Sequence, residues 1–170
     1  VTGVQGCTYG CLGFGDCASV CEYDAIHVID GLATIDYEKG TGCGACVEIC
    51  PRNIITRVPF KADRILVVKC SNKDFGKAVK DVCKVGCIGC KACQRTNDLF
   101  KVEANLPSLD YDRYNPKAVD FQPVLDRCPM GSLVFVGKPS PKDVEAVAHE
   151  ELPERVEADF KTTVDDSDWW

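Results

Sequence analysis

Residues 40–51 read Gly40-Thr41-Gly42-Cys43-Gly44-Ala45-Cys46-Val47-Glu48-Ile49-Cys50-Pro51. Cysteines this close together, closed by a proline, could join one another only through strained or sterically impossible disulfides. Short Cys-x2-Cys loops do, however, wrap several thiolates around one centre. The same crowding recurs on both sides. Upstream stands Cys7-x3-Cys11-x5-Cys17-x3-Cys21, downstream Cys83-x3-Cys87-x2-Cys90-x2-Cys93, with Cys70 between and Cys128-Pro129 alone beyond. Twelve of the thirteen cysteines fall within the first 93 residues. A secreted disulfide scaffold prefers an even count and scattered spacing, so metal ligation is the better account.

Zinc and iron–sulfur ligation separate on spacing. Structural zinc pairs two Cys-x2-Cys knuckles, or a knuckle with His, across a longer loop. Only His27 and His149 are present, which leaves mixed Cys/His sites little to work with. The run Cys-x2-Cys-x2-Cys-x3-Cys-Pro is the bacterial ferredoxin pattern, in which the fourth Cys ligates the other cluster. Cys43, Cys46, Cys50 and Pro51 match its last three cysteines and proline, and Cys87, Cys90 and Cys93 match its first three. The favoured cofactor is therefore the 4Fe-4S cluster. A c-type haem is excluded, because no Cys-x2-Cys here is followed by His.

The chain carries four decayed copies of one repeat. A shift of 29 lays Cys17 on Cys46, Cys21 on Cys50, and Asp24-Ala25-Ile26 on Asn53-Ile54-Ile55. It also lays Cys11 on Gly40 and Phe14 on Cys43, so each of these copies lacks one ligand. A shift of 76 lays Cys7, Cys11 and Cys17 on Cys83, Cys87 and Cys93, and Cys21 on Asn97. The fourth copy keeps Leu106-Pro107-Ser108-Leu109-Asp110-Tyr111, the counterpart of Leu32 to Tyr37, and Cys128-Pro129.

Cross-ligation turns the repeats into a count of about three clusters. Cys87, Cys90, Cys93 and Cys128 form one complete set. Its mate would need position 97, now Asn, and three cysteines that are absent between 93 and 128. A second cluster takes Cys11, Cys17 and Cys50, with Cys7 replacing the ligand missing at Phe14. A third takes Cys21, Cys43 and Cys46, where Gly40 occupies the fourth position. There Cys70 fills the gap, or the site holds a 3Fe-4S cluster, or a four-iron cluster with a non-Cys ligand. Cys70 and Cys83 can also be read as ordinary buried thiols.

These copies imply an α+β fold: two tandem bacterial-ferredoxin-like units joined by a strand-helix segment, with an acidic C-terminal tail. Residues 1–60 form a two-cluster unit, 61–82 a connector, 83–137 a unit with one retained cluster, and 138–170 the tail. Ile26 to Ile29 and Ala33 to Ile35 read as a hairpin turning at Asp30-Gly31. Ile65 to Val68 reads as a buried strand and Asn72 to Val82 as a helix with Phe75, Val79 and Val82 on one face. Lys73, Lys77, Lys80 and Lys84 make a basic stripe, read either as a dock for an acidic electron carrier or as a solvated face.

At 170 residues, 45% hydrophobic and 27% charged, the composition is that of a globular protein. The longest apolar runs fall far short of the ~20 residues that cross a bilayer, so no membrane span or signal-peptide core is expected. The chain opens at Val1 and reads as a processed or resolved part of something longer. Residues 138–170 carry four Lys/Arg against ten Asp/Glu, so the preceding 137 residues are balanced. Ser140-Pro141 followed by Lys142 to Leu152 predicts a capped helix. Nucleic acid, which wants basic excess, is not an expected partner. No G-x-G-x-x-G follows a strand, so a nucleotide cofactor is not expected on this chain.

The blocks Gly6-Cys7-Thr8-Tyr9-Gly10-Cys11-Leu12-Gly13-Phe14-Gly15-Asp16-Cys17 and Cys70-Ser71-Asn72-Lys73-Asp74, leading to Lys84-Val85-Gly86-Cys87-Ile88-Gly89-Cys90, resemble the B subunit of the Rnf complex. The resemblance spans roughly residues 5–135. It implies a cytoplasm-facing multi-cluster wire, peripheral on the inner membrane, that takes electrons from soluble ferredoxin or a similar acidic carrier and passes them to other redox-complex subunits. The sequence departs from that family at Gly40, at Asn97 and in the Cys-less stretch before Cys128. The expected role is single-electron relay, with no catalysis by this chain alone. Two alternatives stand beside it: a redox-enzyme subunit with an open cluster at Cys21/Cys43/Cys46, and a zinc-binding interaction module.

Overall fold

Two successive residues at positive φ, Asp30 (φ 51) and Gly31 (φ 75), turn the chain back on itself as a tight two-residue hairpin requires. In the computed structural model, which describes residues 6–138, this turn joins β1 (Ile26–Ile29) to β2 (Leu32–Ile35) in register Ile26↔Ile35 to Ile29↔Leu32. Helix α1 (Asp16–Ser19) precedes the hairpin and α2 (Ala45–Ile49) follows it, and the two helices pack together. These elements belong to the first of two compact units, which holds Gly6 and Gly10–Arg57; the second holds Cys7–Tyr9 and residues 58–138.

The second unit contains β3 (Arg64–Val68), α3 (Lys77–Lys80), α4 (Ala92–Thr96), β4 (Phe100–Glu103), β5 (Leu106–Leu109), α5 (Gln122–Asp126) and β6 (Leu133–Gly137). Among the described residues the mixture of short helices and antiparallel strand pairs is an α+β fold. The β4–β5 hairpin repeats the β1–β2 hairpin closely. Ala104 (φ 46) and Asn105 (φ 64) stand where Asp30 and Gly31 stand. The amide of Asp110 donates to the Leu99 carbonyl at 2.9 Å, as that of Asp36 donates to Ala25 at 2.8 Å. Each aspartate then uses Oδ1 to accept the amides two and three residues on. Lys39 pairs with Asp24, and Arg113 with Asp98, at equivalent positions; both pairs are exposed and orient more than they stabilise.

The strand read as part of a connector is integral to the second unit. β3 pairs antiparallel with β6, from Arg64↔Gly137 to Val68↔Leu133. Ile65 and Leu66 are completely buried with Leu99, Phe100, Leu109, Tyr114, Phe121, Val124, Leu133 and Val136 in one core. The edge of β3 at Leu66 is closed by two tyrosines instead of a third strand. Tyr114 Oη accepts the Leu66 amide at 3.1 Å, and Tyr111 Oη donates to the Leu66 carbonyl at 3.0 Å. Burial, reinforced by Tyr114, pushes the Tyr111 phenol up to about 12, so it remains a donor at ordinary pH.

The helix expected over 72–82 forms only at Lys77–Lys80. Asn72 is buried, and its Oδ1 accepts the Asp74 amide at 2.8 Å, which competes with helix formation. Gly76 then sits at φ 58 and ψ −117 and donates its amide to the Ile88 carbonyl. Of the three residues expected to share a buried face, Val79 is buried while Phe75 and Val82 are exposed. In the second copy no strand forms at Asn53-Ile54-Ile55, where Asn53 is left-handed (φ 51). The acidic tail and its predicted helix lie outside the described residues.

Because Leu66 is wholly buried, Tyr114→Phe strands its amide without a partner. We expect it to lower unfolding stability by about 1–3 kcal/mol, seen as a lower denaturation midpoint. Tyr111→Phe, at a carbonyl with a second lone pair and a half-exposed ring, should cost less. Equal and negligible effects would show that the tyrosines do not close this edge.

Candidate metal centres

Three helices present a cysteine as their second residue, and each is entered through a left-handed residue. Gly15 (φ 81) leads to Cys17, Gly44 (φ 97) to Cys46, and Lys91 (φ 59) to Cys93. The first amides of any helix have no intrahelical partners, and here they lie beside sulfur. The amides of Cys17 and Ala18, of Cys46 and Val47, and of Cys93 and Gln94 each act to lower the pKa of the thiol beside them. Burial outweighs them and pushes all three thiols up, and neighbouring sulfurs push further. A buried sulfur anion is costly until it is hydrogen-bonded or bound to a cation.

The neighbours define the groups. Cys17 is raised, after burial, by Cys11 and also by Cys50. Cys46 is raised, after burial, by Cys43 and Cys21. Cys87 is raised by burial and then by Cys70, Cys128 and Cys90, and Cys93 by burial and then by Cys87 and Cys90. The structure thus gathers Cys11, Cys17 and Cys50 in the first unit; Cys21, Cys43 and Cys46 also in the first; and Cys87, Cys90, Cys93 and Cys128 in the second, with Cys70 beside them. Further amides reach these sulfurs: Gly13 to Cys11 and Ala25 to Cys21, both at 3.4 Å, and Cys87 to Cys70 at 3.2 Å.

The remaining cysteines fall as follows. Cys70, read from sequence as a filler for the Gly40 gap, belongs to the second unit, whereas Cys21, Cys43 and Cys46 belong to the first. Cys7 also belongs to the second unit, where the Asn72 side-chain amide donates to its sulfur at 3.6 Å. Cys83 lies against Gly86, whose missing Cβ would stand 3.4 Å from its sulfur. Asn97 does not offer a ligand in place of a thiolate; its Oδ1 accepts the Leu99 amide at 2.9 Å. Gly40 donates its amide to Asp36. Asn72 and Asn105 are the polar residues that sequence reasoning passed over. Asn72 contacts a cysteine sulfur, and Asn105 ties the Cys87 neighbourhood to Lys73 through a 3.0 Å bond to its carbonyl. Asn72 lies two residues beyond Cys70, which is the one sequence signal that could have marked it.

Among the described residues no three His, Cys, Asp or Glu side chains converge on a point as a single metal ion demands. The donor set itself suits iron–sulfur clusters: sulfur ligands grouped in threes and fours, with backbone amides directed at them in place of water. Among the described residues no helix is long and apolar enough to cross a membrane.

Residues 33–56 match the family described as 4Fe-4S binding domain. The chain is 43% identical over 134 residues to the B subunit of the Na(+)-translocating ferredoxin:NAD(+) oxidoreductase complex of Acetobacterium woodii, an alignment covering 77% of this chain and 38% of that protein. It is 44% identical over 93 residues to the B subunit of the ion-translocating oxidoreductase complex of Methanosarcina acetivorans, covering 54% of this chain and 34% of the relative. It is 37% identical over 111 residues to the B subunit of the proton-translocating ferredoxin:NAD(+) oxidoreductase complex of Clostridium ljungdahlii, covering 64% and 38%. The resemblance seen in the Cys7 and Cys70 blocks is therefore shown, and the chain spans between a third and two fifths of these relatives' length.

Gly89 (φ 68) lies inside the Cys87–Cys90 loop, and a Cβ there would approach Asn105 Cβ to 3.0 Å and Phe75 Cδ2 to 3.1 Å. Gly131 has a similar φ of 62 with nothing within 4 Å of its Cβ position. Both Gly→Ala changes carry the left-handed penalty of about 1–2 kcal/mol, but only Gly89→Ala adds crowding. We expect Gly89→Ala to lose more metal from the purified protein than Gly131→Ala. Equal losses would remove the close approach of Phe75 and Asn105 as a determinant of the loop.

Proposed function

We propose that this chain is an iron–sulfur electron-transfer protein that relays single electrons through about three clusters, as a subunit of a multi-subunit redox complex of the Rnf type. The observation that carries the proposal is the threefold recurrence of one ligand geometry: a left-handed entry residue, a helix whose second residue is Cys, and amides directed at its sulfur. The 4Fe-4S domain match at residues 33–56 and the names of the relatives support it. Clusters bound at these thiolates supply one-electron storage. The chain supplies the rest. Gly13, Ala25 and Gly89 amides offset sulfur charge, and burial shields Cys17 and, in part, Cys93 from water.

The ligand sets are proposed as follows. Cys87, Cys90, Cys93 and Cys128 bind one four-iron cluster, with the second-unit core behind it. Cys11, Cys17 and Cys50 bind another, for which the spacing of Cys7 makes it the fourth candidate. Cys21, Cys43 and Cys46 bind a third. With Gly40 at its fourth position, a 3Fe-4S cluster or a non-Cys ligand completes that site. The division into a two-cluster unit and a one-cluster unit follows from these sets. The donor is proposed to be soluble ferredoxin or a similar acidic carrier, and the acceptors are other subunits of a membrane-associated complex.

One observation favours a second reading, in which the Cys21/Cys43/Cys46 site offers an open iron to a small ligand: Cys43 is exposed and Gly40 leaves one position without a thiolate. The two readings part on Gly40→Cys. Its Cβ would meet only the Asp36 carbonyl at 3.3 Å and a methyl of Ile35, so a thiol fits with a small adjustment.

Anaerobically isolated protein should contain about 11 or 12 iron with matching sulfide. Cys128→Ala should remove about four iron and Asn97→Ala none. Stoichiometric zinc without sulfide would end the iron–sulfur account, and undiminished iron in Cys128→Ala would end the proposed ligand set. Gly40→Cys should abolish any three-iron electron paramagnetic resonance signal and leave electron transfer intact. Loss of a catalytic or ligand-binding activity in that variant would favour the open-site reading.

A further inference from the structure

We propose that the surface of residues 73–85 is the docking face for an acidic electron-carrier protein, and that electrons enter through the Cys87–Cys90 loop beneath it. This rests on the electron-transfer reading above and assigns its point of entry. Charge is the first observation. Residues 69–95 carry six Lys and one Arg against Asp74 and Asp81, a local net of +5 in a chain of net −6. Of the two carboxylates, Asp74 is held by the Tyr9 hydroxyl at 3.4 Å. Lys73, Lys77, Lys80 and Lys84 are all exposed, and none forms an ion pair with another described residue.

Apolar exposure in the same segment is the second observation. Phe75 is 63% exposed, Val82 46% and Val85 61%. The helix expected here would have set Phe75 and Val82 on the buried face with Val79; the helix is confined to Lys77–Lys80, and both residues lie outside it and are exposed. Exposed apolar side chains interspersed with an excess of one sign of charge are the composition of a transient protein interface, in which charge steers encounter and apolar contact holds it briefly. The complementary partner is a carrier protein with carboxylates around its own exposed cluster.

Position is the third. Phe75 lies against Gly89, the Gly76 amide donates to the Ile88 carbonyl at 3.1 Å, and Asn105 bonds the Lys73 carbonyl. The patch is thereby fastened to the loop that bears Cys87 and Cys90. A partner seated on Phe75 lies against the loop that bears those two cysteines.

The test uses the cluster-loaded full chain and stopped-flow reduction by an acidic two-cluster ferredoxin. With a screening length of about 8 Å at physiological salt, the wild-type rate constant should fall about tenfold or more between low and high salt. Lys77→Glu/Lys80→Glu/Lys84→Glu should be at least about tenfold slower at low salt and nearly insensitive to salt. The milder Lys→Gln triple should lie between. Phe75→Ser/Val85→Ser should slow the reaction at every salt concentration. Reduction by methyl viologen radical, a small cation, should be unchanged or faster in the charge variants, and their iron and sulfide unchanged. A ferredoxin rate at low salt equal to wild type in the triple Glu variant would overturn the proposal. So would a parallel fall in the viologen rate, which would assign the lysines to the cluster instead of to docking. Wild-type protein reduced by viologen but never by the carrier would overturn this docking face while leaving the electron-transfer reading in place.

Discussion

Sulfur anions drawn partly out of water need compensation, and the backbone around these cysteines answers that need. A thiolate withdrawn from water is stabilised by hydrogen-bond donors and by cations, and a chain this short has few side-chain donors to spend on many cysteines. Backbone amides are the available supply. The first amides of a helix have no carbonyl partners of their own, so a helix that begins beside a cysteine offers them to its sulfur. Left-handed residues at positions 15, 44 and 91 lead into these helices. Glycine does so without strain at the first two; at the third, Lys91 carries the cost of a side chain in that conformation.

The hairpins serve the same end from the other side. Each begins two residues after a left-handed aspartate or close to an Asx turn, and each is followed by an aspartate whose carboxylate collects two amides. Backbone polar groups near the ligand loops are satisfied locally, so the loops do not draw on the amides that face sulfur. In the second unit this scaffold is backed by a true core, with Phe100 and Leu109 of one hairpin packed against Ile65 and Leu66 of β3. Among the described residues of the first unit, Cys17, Ala25, Ile26 and Val28 are the buried apolar side chains.

Much of the clustering of sulfurs was legible from spacing alone. Cys-x2-Cys-x3-Cys-Pro admits few chemical uses, and Asp30-Gly31 between two β-branched runs admits few turns. The grouping of Cys87, Cys90 and Cys93 with Cys128 required only the repeat and the cross-ligation rule, although 35 residues separate the last two. Other features were not legible. Periodicity at Phe75, Val79 and Val82 suggested a helix face, but Asn72 and Gly76 bend the backbone before the helix can begin. The second hairpin turns at Ala104-Asn105, a pair with no strong turn signal, because the strands on either side dictate it. The partner of β3 could not be read at all, since β6 lies some 65 residues away and no local pattern links them.

What the amino-acid order by itself determined is which atoms can bind metal and how many residues separate them, since ligand spacing is a property of the covalent chain. What only the tertiary structure decided is which sulfurs are neighbours across long separations, which amides point at them, and which lysines and apolar side chains remain outside. Those depend on pairings such as β3 with β6 and on single buried groups such as Asn72 and Tyr114. Their energy comes from burial and hydrogen bonds between distant segments, and that is written in no local stretch of sequence.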